Sequence, residues 1–328
     1  VKIMDIFIEL LILMMSLCAL IWGATQFING SILISNIFGV PKIFIGLTIV
    51  SIGTSAPEIG VSLNAALNNS THLAVGNALG SNLANVGLVL GFTACISAVP
   101  FNKSLIKREI PILVIVTALA GICLFDNALG RSESVFLFLM VIPISFYLLS
   151  TFKDSQKKLE DEVENTSAHN EKTFGKAIIP FFIGLIVLLV GAEFTVNSSQ
   201  TIAELLGVSE LVIGLTIIAL GTSLPELAAS LISALKNSHE IALGNIIGSN
   251  IFNIVLVLSL AGIIAPAELP SQTFWRDFIS MAMLTTMLVL VILSKLKIRD
   301  KSTKPSIGRF SGILFLLIYI LYYGILFF

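Results

Sequence analysis

A hexapeptide that occurs twice places the strongest constraint on how this chain folds. The string GTSAPE at residues 53–58 returns as GTSLPE at residues 221–226, so that matching residues are 168 apart (222 − 54). A longer string that begins at Gly76, GNALGSNLAN, returns at Gly244 as GNIIGSNIFN with the same offset. The chain is therefore an internal duplication, and its fold has to accommodate two copies of one unit.

The amino-acid composition indicates the environment in which the protein folds. Of the 328 residues, 56% are hydrophobic and 12% are charged, whereas about 25% are charged in a typical soluble domain. This predicts a polytopic membrane protein, and a net charge of −1 gives no indication of a nucleic-acid partner. The three cysteines, Cys18, Cys95 and Cys123, lie in apolar stretches, which favours packing over a redox or metal role.

Apolar runs of about 20 residues mark membrane helices, and ten such runs predict an all-α fold of ten transmembrane helices. Five spans fall in each half, and an odd number per half means that the second copy enters the membrane the opposite way up. The prediction is two inverted five-helix repeats, residues 1–152 and 174–328, joined by a cytoplasmic linker, residues 153–173. The predicted spans are residues 4–35, 41–67, 72–99, 108–125, 133–152, 174–205, 209–235, 240–264, 273–294 and 307–327.

The distribution of basic residues supports this topology. If the loops after spans 1, 3, 5, 7 and 9 face the cytoplasm, only Lys2, Arg131 and Arg276 of the 19 lysines and arginines lie elsewhere. An excess of basic residues in cytoplasmic loops is the rule for membrane proteins. The sequence thus predicts a multi-pass protein of the cell membrane with both termini on the external side.

The repeated hexapeptide places polar groups in the middle of a span. Pro57 and Pro225 lack an N–H group, so each frees the carbonyl four residues earlier and interrupts its helix. Broken helices at this depth occur only where their backbone is buried in protein or lines a cavity. Glu58 and Glu226 follow the prolines, and a carboxylate at the bilayer centre is costly enough to indicate a functional site by default.

Further oxygen atoms accompany each carboxylate at helical spacing. Thr54 lies four residues before Glu58, and Ser81 lies four before Asn85 in the second string. The second copy repeats this spacing with Thr222 before Glu226 and Ser249 before Asn253, so each pair shares one helix face. For Ser81, Asn85, Ser249 and Asn253 taken singly, hydrogen bonding between helices is an alternative role, and the spaced glycines of the same strings favour close helix packing. Taken together, oxygen ligands without cysteine or histidine select hard cations such as Ca²⁺ or Na⁺.

The charge of the two glutamates predicts how these cations are handled. Two carboxylates neutralise one Ca²⁺ or two Na⁺, so the two ions compete for one site. The loaded protein can then reorient, whereas an empty site carries two bare charges in a low dielectric. This is the behaviour of an antiporter, with no organic cofactor and no enzymatic chemistry.

At these residues the chain resembles the sodium/calcium exchanger family of the cation/calcium antiporter superfamily, in its compact prokaryotic form. The resemblance implies Ca²⁺ and Na⁺ as transported ions, three Na⁺ exchanged for each Ca²⁺, alternating access, and function as a monomer in the bilayer. It implies that Glu58 and Glu226 are the central Ca²⁺ ligands with Thr54 and Thr222, and that Asn85 and Asn253 flank the centre. The implied Na⁺ ligands are Ser55, Ser81, Ser223, Ser249 and the carbonyl groups of Ser51 and Ala219.

One departure from the family pattern bears on ion selectivity. Residue 253 is asparagine, whereas potassium-dependent relatives carry aspartate at the matching place, so the resemblance argues against a potassium requirement. Proton-coupled relatives carry a Gly-Asn-x-x-Glu string, but here Gly80 and Gly248 stand at the last position. Potassium-dependent and proton-coupled antiport are the alternatives within this class, and a cation channel is the alternative outside it.

Overall fold

The structure is a computed structural model, and it describes residues 2–160, 171–208, 216–217, 219–297 and 304–327. The first half is built from helices with π-helical turns between some of them. Its helices are α1 (Lys2–Ile37), α2 (Lys42–Ile45), α3 (Ser51–Thr54), α4 (Ala56–Leu67), α5 (Thr71–Ala84), α6 (Gly91–Ile96), α7 (Ser104–Leu124), α8 (Arg131–Leu139) and α9 (Val141–Glu160). Its π-helical segments are Gly46–Val50 and Asn85–Leu90, and its strands are β1 (Val99–Pro100) and β2 (Ala128–Leu129).

The second half repeats this pattern. Its helices are α10 (Glu171–Leu205), α11 (Ala219–Gly221), α12 (Leu224–Leu235), α13 (His239–Phe252), α14 (Ser259–Ile264), α15 (Ile279–Lys297) and α16 (Arg309–Phe327). Its π-helical segments are Asn253–Leu258 and Thr273–Phe278, and its strands are β3 (Ala267–Glu268) and β4 (Ser306–Ile307). The helices α4, α5 and α6 and the π-helical segment Asn85–Leu90 all recur 168 residues later with identical lengths. The duplication in sequence is therefore a duplication in local structure.

Seven of the described helices are long and apolar enough to cross a membrane, and the bent pair Lys42–Thr54 and Ala56–Leu67 raises this number to eight. The predicted number was ten. Helix α7 has 21 residues, but three charged residues near its start, Lys107, Arg108 and Glu109, make it less apolar than the others. The predicted span 209–235 lies partly outside the described residues, and its helix α12 has only 12 residues.

Helix α9 extends into the residues that were predicted to form the linker. Helix α9 continues to Glu160, eight residues beyond the predicted boundary at 152, because residues 153–160 contain neither glycine nor proline to end a helix. The linker residues 161–170 lie outside the described part of the chain, and α10 begins at Glu171.

The two longest helices, α1 and α10, lie against each other in antiparallel orientation. A side chain at Gly23 would meet the backbone of Leu188, and one at Gly30 would meet Phe181. Reciprocally, Gly184 faces the backbone of Phe27, so positions rise along one helix as they fall along the other. The helices have 36 and 35 residues, which at 1.5 Å per residue gives a length above about 50 Å, so both extend beyond a hydrocarbon layer of about 30 Å or tilt within it.

Two short antiparallel sheets and two arginines form hydrogen bonds between the halves. Strand β1 pairs with β4, and β2 pairs with β3, so each pair takes one strand from each half. Arg131 Nε donates to the carbonyl of Ile263 at 3.1 Å, and Arg309 Nε donates to the carbonyl of Cys95 at 3.1 Å. Each arginine begins a helix of one half and satisfies a carbonyl at the end of a helix of the other half. The halves therefore form one packed unit.

The most buried spans lie at the centre of this unit. Of the most apolar 18 residues in each span, 72% are buried in Thr71–Ile96 and 83% in His239–Ile264, against 17% in Met4–Ile37. The outer helices expose large apolar side chains such as Phe146 and Phe310, as expected for surfaces that contact lipid. The polar motifs therefore sit in the innermost layer, where lipid cannot reach them.

Candidate functional site

In each half, the helix around the repeated proline is broken at a serine, and the break places a glutamate in the first turn of the next helix. Ser55 has φ −81° and ψ 8°, and Ser223 has φ −89° and ψ 4°, so neither continues the helix before it. The first break bends the span by 46°. Glu58 and Glu226 follow within the first turns of α4 and α12, where the positive end of the helix dipole stabilises a carboxylate. Both side chains are at least 99% buried.

The first broken helix directs its hydroxyl groups toward the carboxylate of the second half. Serine followed three residues later by glutamate is the pattern of a helix capping box, but Ser55 makes no capping hydrogen bond. Instead, Ser55 Oγ donates to Glu226 Oε1 at 3.0 Å and lies 3.0 Å from Ser249 Oγ. The hydroxyl of Thr54 also lies beside the Glu226 carboxylate. The Glu226 carboxylate of the second half is therefore contacted by hydroxyl groups of the first half.

The carboxylate of Glu58 has a different set of neighbours. The hydroxyl of Ser81 lies within hydrogen-bonding range of it, and Glu226 is close enough for the two negative charges to repel each other. Repulsion between unscreened carboxylates in a dry interior is unfavourable without a counter-charge. The arrangement therefore brings the two predicted central ligands together in a way that favours a bound cation.

Two asparagines begin π-helical turns that pack against the helices of the two glutamates. Asn85 begins the segment Asn85–Leu90, and Asn253 begins the segment Asn253–Leu258. A π-helical turn is wider than an α-helical one and often occurs at functional sites. Both asparagines are at least 99% buried, and neither amide has a hydrogen-bond partner among the described residues. The wide turns therefore place two unpaired amide oxygens in the protein interior.

Unpaired buried oxygens are the most informative feature of this region. Among the described residues, Oε2 of both Glu58 and Glu226 lacks a hydrogen-bond partner, as does Oδ1 of both Asn85 and Asn253. Leaving a buried polar atom unpaired costs about 1–3 kcal/mol, more for a charged group. Carboxylate, amide and hydroxyl oxygens are the ligands of Ca²⁺ and Na⁺. The donor set therefore fits a hard cation, and no grouping of histidine, cysteine or acidic residues that suits a transition metal occurs in the described part.

The remaining predicted ligands lie along the same broken helices. The Ser51 carbonyl accepts the Ser55 N–H at 3.0 Å, and it lies 3.3 Å from the hydroxyl oxygen of Thr54. Ser223 is buried, and its hydroxyl has no partner among the described residues. Thr222 is half-buried and lies in the break before Ser223, and Ala219 begins the short helix α11.

Sequence reasoning missed two pairs of residues that support the glutamates. Asn77 Nδ2 donates to the carbonyl of Glu58 at 3.0 Å and to Ser62 Oγ at 2.9 Å. In the second half, Asn245 Nδ2 donates to Ser230 Oγ at 3.0 Å and to the carbonyl of Glu226 at 3.5 Å. The signal was available, because both asparagines and both serines are repeated at the 168-residue offset.

The two halves differ in how tightly these helices are covered. Gly244 and Gly248 of α13 are buried, and a side chain at either position would meet the backbone of the first half near Gly46 or Leu47. This is the close packing that the glycine spacing predicted. In contrast, Gly76 of α5 is exposed, and a side chain at Gly76 or Gly80 would meet nothing within 4 Å, so the prediction of close packing is wrong for the first half. The duplicated unit is therefore closed on one side of the site and more open on the other.

Comparisons with known proteins agree with this geometry. The sequence model described as sodium/calcium exchanger protein matches residues 8–152 and 176–328. The chain is 41% identical to the putative antiporter CaxA of Alkalimonas amylolytica over 96% of this chain and 97% of that protein. It is 30% identical to the sodium/calcium exchanger MaX1 of Methanosarcina acetivorans over 98% and 99% of the two chains. A solved structure of the sodium–calcium exchanger NCX_Mj, soaked with zero Na⁺ and Ca²⁺, superposes with a TM-score of 0.82 at 33% identity and covers 98% of this chain and 99% of that one.

Proposed function

The chain belongs to the sodium/calcium exchanger protein family, and from that premise we propose that it exchanges Na⁺ for Ca²⁺ across the cell membrane. Members of this family are transporters of cations, and the coarser function, antiport of Ca²⁺ against another cation, follows from the family and the fold. The proposal adds sodium as the coupling ion, independence of potassium, and function as a monomer.

One observation carries the proposal: the buried carboxylates of Glu58 and Glu226, each with one unpaired oxygen, lie near enough on two broken helices for their charges to interact. Their two negative charges balance one Ca²⁺ or two Na⁺. An empty site leaves both charges without compensation in a low dielectric. The free-energy cost of reorientation is therefore lowest when the site is loaded. We assign Glu58 and Glu226 as the central ligands, with Asn85, Asn253, Ser55, Ser81, Ser223 and Ser249 and the two threonines around them.

The packing of α1 against α10 supports an inverted repeat. The two helices occupy matching places in the two halves, since their last residues, Ile37 and Leu205, are 168 apart, and they lie antiparallel. Corresponding helices that run in opposite directions imply that the two halves enter the membrane from opposite sides. Such repeats place a shared site at the membrane centre, which two related gates can open in turn.

The uneven packing of the halves supports alternating access. The closed side, where Gly244 packs against Gly46, lies toward the loop at residues 236–238, which the charge distribution places in the cytoplasm. The exposed Gly76 lies toward the loop at residues 68–70 on the opposite side. We infer that the structure represents a conformation whose site is reached from the external side.

The inverted repeat makes a prediction about two exposed positions at matching places. Asn68 and Lys236 are both exposed at the ends of α4 and α12. Single cysteines at these positions, in a background without Cys18, Cys95 and Cys123, are expected to react with an impermeant thiol reagent from opposite faces of the membrane. The cysteine-free protein is the control, and labelling of both positions from one face would contradict the inverted repeat.

The function itself is tested by calcium flux in proteoliposomes. Uptake of ⁴⁵Ca²⁺ is measured with an outward gradient of Na⁺, K⁺ or H⁺ imposed in turn on otherwise identical vesicles. We expect uptake with the Na⁺ gradient alone. Uptake driven by H⁺ would identify a proton-coupled antiporter, and a need for K⁺ would identify a potassium-dependent one. Calcium movement down its own gradient without any counter-ion would indicate a channel.

A further inference from the structure

Asn245 connects three elements of the proposed site. It lies in α13 of the second half and is completely buried. Its Oδ1 accepts a hydrogen bond from Thr54 Oγ1, in the first broken helix, at 3.0 Å. Its Nδ2 donates to Ser230 Oγ at 3.0 Å and to the carbonyl of Glu226, in the second broken helix, at 3.5 Å. The side chain thus links a hydroxyl of one half to the backbone of a glutamate of the other.

The orientation of this amide follows from its partners. The nitrogen and oxygen of an asparagine amide are assigned from the hydrogen-bond network around them. A backbone carbonyl can only accept, so the group that faces Glu226 must be the NH₂ group, and the oxygen must face Thr54. An amide oxygen can only accept as well. Thr54 therefore donates its single hydroxyl hydrogen to Asn245 and keeps both oxygen lone pairs for other partners.

Other hydrogen-bond acceptors near Thr54 show which orientation of its hydroxyl Asn245 prevents. The carbonyl of Ser51 lies 3.3 Å from Thr54 Oγ1, and the Glu226 carboxylate also lies beside this hydroxyl. Threonine hydroxyls inside helices commonly turn back to a carbonyl of the preceding turn. Without Asn245, the hydroxyl hydrogen would turn to Ser51 or to the Glu226 carboxylate, and the lone pairs of Thr54 would rotate with it.

We propose that Asn245 is a positioning residue that orients the Thr54 hydroxyl as a cation ligand and holds the Glu226 carbonyl in place. This inference rests on the proposed function, because it takes the cation site as given. Residues that orient the ligands of a metal typically change its affinity 10–100-fold when they are replaced. Asn245 acts on both broken helices, so it also fixes the alignment of the two halves at which the ligands converge.

A double-mutant cycle between Thr54 and Asn245 tests the inference. The variants are T54V, N245L and the double variant, and the readouts are Ca²⁺ binding by calorimetry on the purified protein and the half-saturating Ca²⁺ concentration of Na⁺-driven uptake. We expect N245L to weaken binding about 10–100-fold with a smaller change in maximal rate. The double variant should lose less affinity than the sum of the two single losses, because part of the N245L effect acts through a hydroxyl that T54V has already removed.

Two further variants separate positioning from packing. S230A removes one partner of the Asn245 amide but leaves the bond to Thr54, so it should weaken binding less than N245L does. N245S, which keeps a buried polar group but is too short to reach Thr54, should reproduce the loss of affinity if N245L does not fold. Additive losses in the cycle, or full affinity in N245S, would overturn the inference while wild-type exchange stands. Absence of Ca²⁺ binding by the wild-type protein would overturn both this inference and the proposed function.

Discussion

Replacing either Glu58 or Glu226 with glutamine is expected to abolish sodium-driven calcium uptake while the protein remains folded. Each substitution removes half of the charge that balances Ca²⁺, and the uncompensated charge would lie in a dry interior. The loss should be at least about 100-fold, since even residues that only orient a metal ligand change affinity 10–100-fold. The shape of the side chain is kept, and a neutral amide is no harder to bury than a carboxylate.

The structure provides a matched control for this experiment. Glu109 is 5% exposed, and its Oε2 also lacks a hydrogen-bond partner among the described residues, but it lies in α7 outside the repeated motifs. We expect E109Q to retain uptake, which would show that the loss in E58Q and E226Q depends on the site and not on burial of a carboxylate in general. Near-normal uptake in either E58Q or E226Q would contradict the shared site.

Thermal unfolding gives a second measurement on the same variants. A ligand that binds only the folded protein stabilises it by about 2.7 kcal/mol at one hundred times its Kd. Calcium should therefore raise the unfolding temperature of the wild-type protein and of E109Q, and should leave that of E58Q and E226Q unchanged. This readout separates loss of binding from loss of reorientation, since it requires no movement of the ion across the membrane.

The sequence was sufficient to predict the breaks in the helices. Proline has no N–H group, and its effect on the preceding turn is local, so Pro57 and Pro225 located both breaks to within two residues of Ser55 and Ser223. The 168-residue offset predicted that corresponding elements recur, and α4, α5 and α6 do so with equal lengths. These features depend on near neighbours in sequence or on direct repetition.

The sequence was not sufficient to predict which partners the hydroxyl groups choose. The pattern of Ser55 and Glu58 is that of a capping box, yet Ser55 donates to Glu226, 171 residues away. The choice depends on how the halves pack, which no local pattern contains. The π-helical turns at Asn85 and Asn253 could not be predicted either, since no residue type indicates a π-helical turn. The role of Asn245 became visible only when its three partners were located.

The second large effect that we expect is a dependence of exchange on membrane voltage. With Asn85 and Asn253 neutral, Glu58 and Glu226 supply two negative charges, so a site that holds one Ca²⁺ is close to neutral. The family resemblance implies three Na⁺ for each Ca²⁺, which leaves the sodium-loaded form with one excess positive charge. Moving that charge is worth about 2.3 kcal/mol per 100 mV. At equilibrium, 100 mV should therefore change the ratio of calcium concentrations across the membrane about 50-fold, since 1.4 kcal/mol is a factor of ten.

Asn253 is the residue at which this charge balance can be altered. It is completely buried, and its amide has no partner among the described residues, so N253D would place a third negative charge among the ligands. The added charge should accept a further cation or a proton, which would make exchange depend on potassium or on pH. The matched variant N85D places the same charge at the corresponding position of the first half and tests whether the two halves contribute equally.

The voltage dependence is measured in sodium-loaded proteoliposomes in which an ionophore sets the membrane potential, with a clamp ion other than potassium wherever potassium itself is tested. The calcium ratio at which net flux stops is recorded at several potentials. A shift of about 50-fold per 100 mV indicates one charge per cycle, because two Na⁺ for one Ca²⁺ would give no shift. A ratio indifferent to voltage would therefore exclude three-for-one exchange. Flux that begins only after potassium is added would show that the neutral Asn253 does not make the protein potassium-independent.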